Sequence, residues 1–192
     1  MCLMSLSGSF LVSMQSMGSD ANIFTQSVVF VCEHHELGSV GVIVNRPTSF
    51  NLSYIFEQLG IESQNSGAKQ MPLLFGGPVQ PERGFVLHSP DGKWRSSLVI
   101  NPKSVTLTTS NDIIKSLAEN SGPEQLIITL GYSAWQPKQL EDEIMKDLWL
   151  VCPFKKELLF EVPFTERWDY AGKLLGIDAL NLTVFSSGSR YV

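Results

Sequence analysis

The side chains able to do chemistry gather at the ends of apolar runs. Arg46 follows the run VGVIV at 40–44, and Glu33 and His34 follow SVVFVC at 27–32. Glu82 and Arg83 stand in the connector of LLFGGPVQPERGFVLHS (73–89), between the runs LLF and FVLH, and His88 closes the second run. Tyr132, Trp135, Gln139 and Glu141 fall within GYSAWQPKQLEDE. A guanidinium presents planar donors that match carboxylate and phosphate, so Arg46 and Arg83 point to a small anionic molecule or an acidic peptide. Tyr132 and Trp135 would supply its aromatic wall. The same arginines serve equally well in salt bridges with Glu33, Glu82, Glu141 or Glu143 that hold loops in place.

Other chemistries find less in the pattern. Cys32, His34 and His88 are zinc-type ligands, but no fourth ligand stands at metal spacing, so no metal is expected. Ser110, His88 and Asp112 supply the residue types of a nucleophilic triad, yet no G-x-S-x-G elbow surrounds Ser110, and a serine there serves as a helix cap. Gly76 and Gly77 ahead of Pro78 offer backbone N–H groups to a phosphate, but their spacing is neither a P-loop nor a dinucleotide fingerprint. No cofactor is expected.

The elements that must position these groups follow from periodicity. Strands are predicted over Ser9–Met14, Ser27–Cys32 and Val40–Val44, the last two forming an antiparallel hairpin through Gly38. LLF and FVLH read as a strand pair around a tight glycine–proline loop. Trp94–Ile100 and Val105–Thr108 form a hairpin, and Glu124–Gly131 and Trp149–Val151 are further strands, with GYSAWQP as a loop. Helices are expected after Asn51, stopping at Gly60; after Thr109 or Ser110, to about Asn120; over Lys138–Asp147; from Pro153 through Leu158; and over Phe164–Leu175, ending at Gly176. Ser63–Gln70 reads as a loop, and 181–192 as a polar tail beyond one domain of 1–180. Hairpins mixed irregularly with helices indicate an α+β fold.

Taken together, VVFVCEHHELGSVGVIVNRP, LLFGGPVQPERGFVLHSP, LTTSNDII, LGYSAWQPKQLEDEI and WDYAGKLLGID, in this order, resemble the YqgE/AlgH family of bacterial proteins. The resemblance implies a bent, mainly antiparallel sheet closing towards a barrel, flanked by helices. It also implies a regulatory role, with transcription as the suggested process, and brings no established reaction. Many relatives read GYAGWxxGQLExE where this chain carries Ala134 and Lys138, so two glycine positions are occupied by residues with side chains.

Composition narrows the function classes. The chain has 192 residues, 43% of them hydrophobic, enough for one substantial core. A net charge of −5 gives no electrostatic footprint for nucleic acid or an anionic membrane. Cys2, Cys32 and Cys152 share no disulfide or CxxC spacing, and neither a signal peptide nor a membrane span is apparent, so a cytoplasmic location is expected. The expected activity is therefore ligand or partner binding with a regulatory role. The alternative is an enzyme acting on a small anionic substrate, with Arg46 or Arg83 as clamp and Glu33 or His88 as proton carrier. The charge balance yields a first prediction: at physiological salt the purified protein leaves duplex DNA unshifted in a gel, whereas a sequence-specific, salt-sensitive shift would favour a direct repressor.

Overall fold

The computed structural model describes residues 5–14, 23–101 and 103–177, so the expected tail, the segment around Asp20, Pro102 of the 97–108 hairpin and Cys2 lie outside the described residues. The chain divides into two compact units: Met1–Asn45 with Ala134–Val192, and Arg46–Ser133. Strands and helices are mixed, the pairing is mainly antiparallel, and the fold class is α+β. No described helix is long and apolar enough to cross a membrane.

In the first unit, β1 (Phe10–Ser13) lies between β10 (Trp149–Cys152) and β2 (Val28–His35), and β2 pairs with β3 (Gly38–Ile43), all antiparallel. β1 is buried at all four positions and β2 at its first five, which is why both read as unbroken apolar runs rather than alternating ones. The β2–β3 hairpin carries a bulge between Val31 and Glu33, where two steps on β2 face one on β3. Asn45 closes its open end, accepting from the Val28 N–H at 2.8 Å and donating to the Gln26 carbonyl at 2.8 Å.

Helix α6 (Arg167–Leu174), entered through a 3₁₀ turn at Phe164–Glu166, packs on β1 and β2. Its Trp168 indole donates to the Ser13 carbonyl at 3.0 Å. Arg167, 4% exposed, donates to the carbonyls of Val44 at 2.5 Å and Val162 at 3.0 Å, and burial pushes its guanidinium pKa down to about 10. Helix α5 covers Lys156–Phe160, starting three residues beyond Pro153.

The second unit has the strand order β4-β5-β9-β6-β8-β7, where β4 is Pro47–Asn51, β5 Pro72–Phe75, β6 Val79–His88, β7 Ser97–Asn101, β8 Val105–Thr108 and β9 Leu126–Trp135. β5 runs parallel to β9 and the other pairs are antiparallel. Helices α1 (Leu52–Gln58), α2 (Ser66–Lys69) and α3 (Asn111–Ala118) bury Leu52, Phe56, Ala68, Ile113, Ile114 and Leu117 in one cluster with Leu73, Val86 and Ile128 of the sheet. The buried positions of α3 fall at i, i+1, i+4 and i+5, one face of a helix.

Three expectations give way here. LLF and FVLH are strands, but they do not pair with each other: β9 lies between them and pairs with both. GYSAW is not a loop, because β9 continues through it to Trp135. Ser63–Gln70 contains a helical turn, α2, whose Asn65 side chain accepts from the Ala68 N–H at 3.0 Å.

To reach the far side of β9, the chain crosses its backbone at Gly76 and Gly77. A Cβ on Gly76 would lie 2.2 Å from the Gly131 carbonyl oxygen, and one on Gly77 2.2 Å from the Tyr132 carbonyl carbon. Gly77 also has φ +152°, and Gly131 has φ +72°, with its own missing Cβ aimed at the Gly77 carbonyl oxygen. Gly77→Val is therefore expected to cost about 2 kcal/mol or more, read as a lowered urea midpoint; an unchanged midpoint would refute the crossing as a steric constraint.

Candidate functional site

In the second unit a cleft of about 500 Å³ opens between α1, α3 and the helix-packed face of β6. One wall is the pair Phe50 and Tyr54, whose rings stack with centroids 4.5 Å apart. Val86, Ile114 and Leu130 form an apolar floor, and Gln58 and Asn111 bring amide groups. The rim on the sheet side is a distortion of β6. Between Val79, opposite Tyr132, and Gly84, opposite Leu130, five steps on β6 face two on β9, so the residues between loop out and carry Glu82 and Arg83 to the cleft.

Arg83 is exposed; its Nη1 donates to Gln80 Oε1 at 3.3 Å, and its guanidinium carbon lies 5.4 Å from the Phe85 ring centroid. Phe85 in turn meets Tyr132 edge-on at 5.4 Å. Arg83 and Tyr132 are thus joined through one aromatic ring, although Tyr132 does not line the cleft. No carboxylate lies within ion-pairing distance of Arg83 among the described residues.

Thr109, Ser110 and Asn111 bound the cleft where α3 begins. Ser110 stands at the N-cap position of α3 as expected, but its side chain makes no capping bond; the hydroxyl lies 2.5 Å from both the Arg95 carbonyl and Asp112 Oδ1. Burial works against the Asp112 charge, but hydrogen bonds from the Arg95 N–H, Ser110 and the Ile113 N–H outweigh it and hold the carboxyl below its usual range.

His88 is fully buried and its ring is occupied on both sides. Nδ1 lies 2.7 Å from the Ser89 carbonyl, which only accepts, so the proton sits on Nδ1 and Nε2 accepts from the Thr108 hydroxyl at 2.8 Å. Burial lowers its pKa and so favours this neutral ring. Trp94 packs edge-on against it at 4.9 Å. His88 is a core residue beside Thr108, and it does not meet Ser110 and Asp112 as a triad. Arg46 is half-buried at the entry to β4, where burial lowers its guanidinium pKa and its carbonyl accepts from the Phe75 N–H at 2.7 Å. Gly76 and Gly77 are taken up by the backbone crossing.

The remaining expected residues belong to the first unit. Glu33 is exposed just past the bulge of β2. The His34 ring is 4% exposed; Nδ1 accepts from the Leu6 N–H at 3.2 Å, which leaves the neutral ring's proton on Nε2. That nitrogen lies 3.3 Å from Glu141 Oε1, close enough to pair yet outside hydrogen-bond geometry. Trp135 and Gln139 converge on a carboxylate that sequence reasoning did not single out for the site. Glu143 Oε2 accepts from the Trp135 and Trp149 indoles at 2.8 and 2.7 Å, and Oε1 from the Gln139 amide at 2.8 Å. The available signal was the i, i+4 spacing of Gln139 and Glu143 on α4 (Gln139–Met145). Cys32 and Cys152 are buried free thiols, both with pKa raised by burial. Among the described residues no group of three or more His, Cys, Asp or Glu is placed to hold a metal ion.

With this geometry in hand, comparison with known proteins gives concordant matches. The family model described as AlgH-like matches residues 10–180. A UPF0301 protein of Legionella pneumophila (strain Lens) is 58% identical over 173 residues, covering 90% of this chain and 91% of its own length. One from Chromobacterium violaceum is 42% identical over 175 residues, covering 91% and 92%. The solution structure of the AlgH protein from Pseudomonas aeruginosa matches with a TM-score of 0.79 at 34% identity, covering 100% of this chain and 98% of that one. A crystal structure of a Corynebacterium diphtheriae protein matches in fold, with a TM-score of 0.65 at 18% identity over 94% of this chain and 91% of that one.

Lys138, one of the two positions where a side chain replaces an expected glycine, precedes α4 with φ +65° and ψ −4°, in the left-handed region. Its side chain makes no capping bond. Lys138→Gly is expected to stabilise the protein by about 1 kcal/mol, seen as a raised urea midpoint; a lowered midpoint would mean the lysine side chain contributes more than its backbone costs.

Proposed function

Because the chain belongs to the AlgH-like family, whose model spans nearly all of it, we propose that it is a ligand-binding protein with a regulatory role, and that its binding site is the cleft of the second unit. The observation that carries this reading is Arg83, a cation without an ion-pair partner among the described residues, at the rim of a cleft with a stacked aromatic wall. An aromatic or aliphatic body would bury against Phe50, Tyr54 and Leu130, where apolar area removed from water supplies most of the affinity. An anionic group would meet Arg83 and the amides of Gln58 and Asn111, which fix its orientation. The regulatory part rests on family resemblance.

The enzyme reading draws less support. His88, one of its two expected proton carriers, has both ring nitrogens engaged in the core, and Glu33, the other, does not line the cleft. What the cleft itself offers is Glu82, exposed beside Arg83, and the Ser110 hydroxyl already bound to Asp112.

A thermal-shift series with 2-naphthoate, 2-naphthyl phosphate and neutral 2-naphthamide tests the binding reading, since a ligand selective for the folded state raises its apparent stability. The two anions are expected to raise the melting temperature more than the amide does. Arg83→Gln should weaken their binding about tenfold, the scale of one charge-assisted hydrogen bond. Equal response to the amide, or an unaltered Arg83→Gln, would overturn the site, and steady release of 2-naphthol from the phosphate would turn the reading to an enzyme.

A further inference from the structure

Strand β7 ends the order of the second unit's sheet and, among the described residues, pairs with β8 alone. The Thr109 N–H donates to the Ser96 carbonyl at 3.2 Å, which makes Ser96 and Thr109 a hydrogen-bonded pair. The register continues Ser97 to Thr108, Leu98 to Leu107 and Val99 to Thr106. In an antiparallel ladder hydrogen-bonded and non-hydrogen-bonded pairs alternate, so Leu98 turns its N–H and C=O towards β8. Ser97 and Val99 turn theirs outward, and together they present two donors and two acceptors to the open edge.

Among the described residues this edge lacks the usual protection. Natural edge strands are blunted by proline, by charges on the strand or by a bulge. Here the bulge falls only at the end, between Val99 and Asn101, and the strand itself carries no charged residue. Leu98 and Val99, which project to opposite faces, are 37% and 57% exposed. An added strand would therefore find apolar surface on both faces.

The flanks carry one sign of charge. From Lys93 to Ser110 the chain has Lys93, Arg95 and Lys103 and no acidic residue, against a net charge of −5 for the whole protein. All three cations are exposed. The acids that bracket this stretch are held locally: Asp91 by the Ser89 hydroxyl and the Glu124 N–H, and Asp112 by the Arg95 N–H and Ser110.

We propose that β7 is a docking edge for an extended segment of a partner protein, apolar at alternate positions and acidic at its ends, which adds to the sheet as a further strand. Main-chain hydrogen bonds to Ser97 and Val99 supply the affinity, and Lys93, Arg95 and Lys103 select acidic flanks. The proposal is independent of the cleft.

Fluorescence anisotropy on the full chain tests it with a labelled nine-residue peptide, Val-Thr-Val-Thr-Val bearing two glutamates at each end. The comparison probes are the same peptide with lysines at its ends and one with proline at its centre. The glutamate peptide should bind at least tenfold more tightly than either. Val99→Pro should abolish binding, because proline lacks the outward N–H, while an edge position with its N–H facing solvent tolerates it. A melting curve checks that this variant folds; should it fail to, the surface pair Arg95→Glu and Lys103→Glu must reverse the preference between the glutamate and lysine peptides. No binding, equal binding of the two charged peptides, or full binding by folded Val99→Pro would overturn the proposal. A concentration-dependent dimer lost in Val99→Pro would overturn it in favour of a second copy of the chain at this edge.

Discussion

The second unit turns on a contact between two stretches of main chain that leaves no room for a Cβ. Gly76 and Gly77 pass over Gly131 and Tyr132, held by the Gly76 N–H on the Leu130 carbonyl at 2.8 Å and the Ser133 hydroxyl on the Gly76 carbonyl at 3.3 Å. This crossing lets β9 lie between β5 and β6, parallel to one and antiparallel to the other. Once past the crossing, β6 must regain its register with β9, and it does so by looping out the residues before Gly84. Arg83 stands at the cleft because of that loop. The glycines allow the backbone path that positions the arginine.

Polar groups with restricted choices organise the first unit. Glu143 gathers two indole N–H groups and an amide, tying α4 to the tryptophan of β10 and to Trp135. Arg167 sits on α6 among backbone carbonyls, with no carboxylate in ion-pair range among the described residues. Burying a guanidinium this way is costly, as its depressed pKa reflects, and its hydrogen bonds to the carbonyls of Val44 and Val162, just beyond β3 and α5, offset part of that cost. These contacts fix helices to strands by direction as well as by apolar area, since a misplaced helix would leave buried polar atoms unpaired.

Much of the local structure was legible. Val28–Cys32, Val40–Ile43 and Leu126–Leu130 announce strands because they are short apolar runs rich in β-branched residues, and Ile113, Ile114 and Leu117 announce α3 by helical spacing. The candidate site residues were less so. His88 and Arg83 lie on one strand, but His88 sits where both faces are covered and Arg83 where β6 departs from its partner, so equal-looking strand-end positions acquired different environments. The aromatic wall came from Phe50 and Tyr54, which no motif marked, rather than from Tyr132 and Trp135.

Sequence by itself determined the α+β class, most element positions and the family pattern, because hydrophobic period, glycine and proline act within a few residues of themselves. Tertiary structure alone decided which strands became neighbours. LLF and FVLH look like partners because a short loop joins them, yet pairing depends on which backbone edges meet. Gly131, more than forty residues beyond that loop, removes the Cβ that would have kept β9 from coming between them. Adjacency in a sheet is a long-range property, and so is every site built from it.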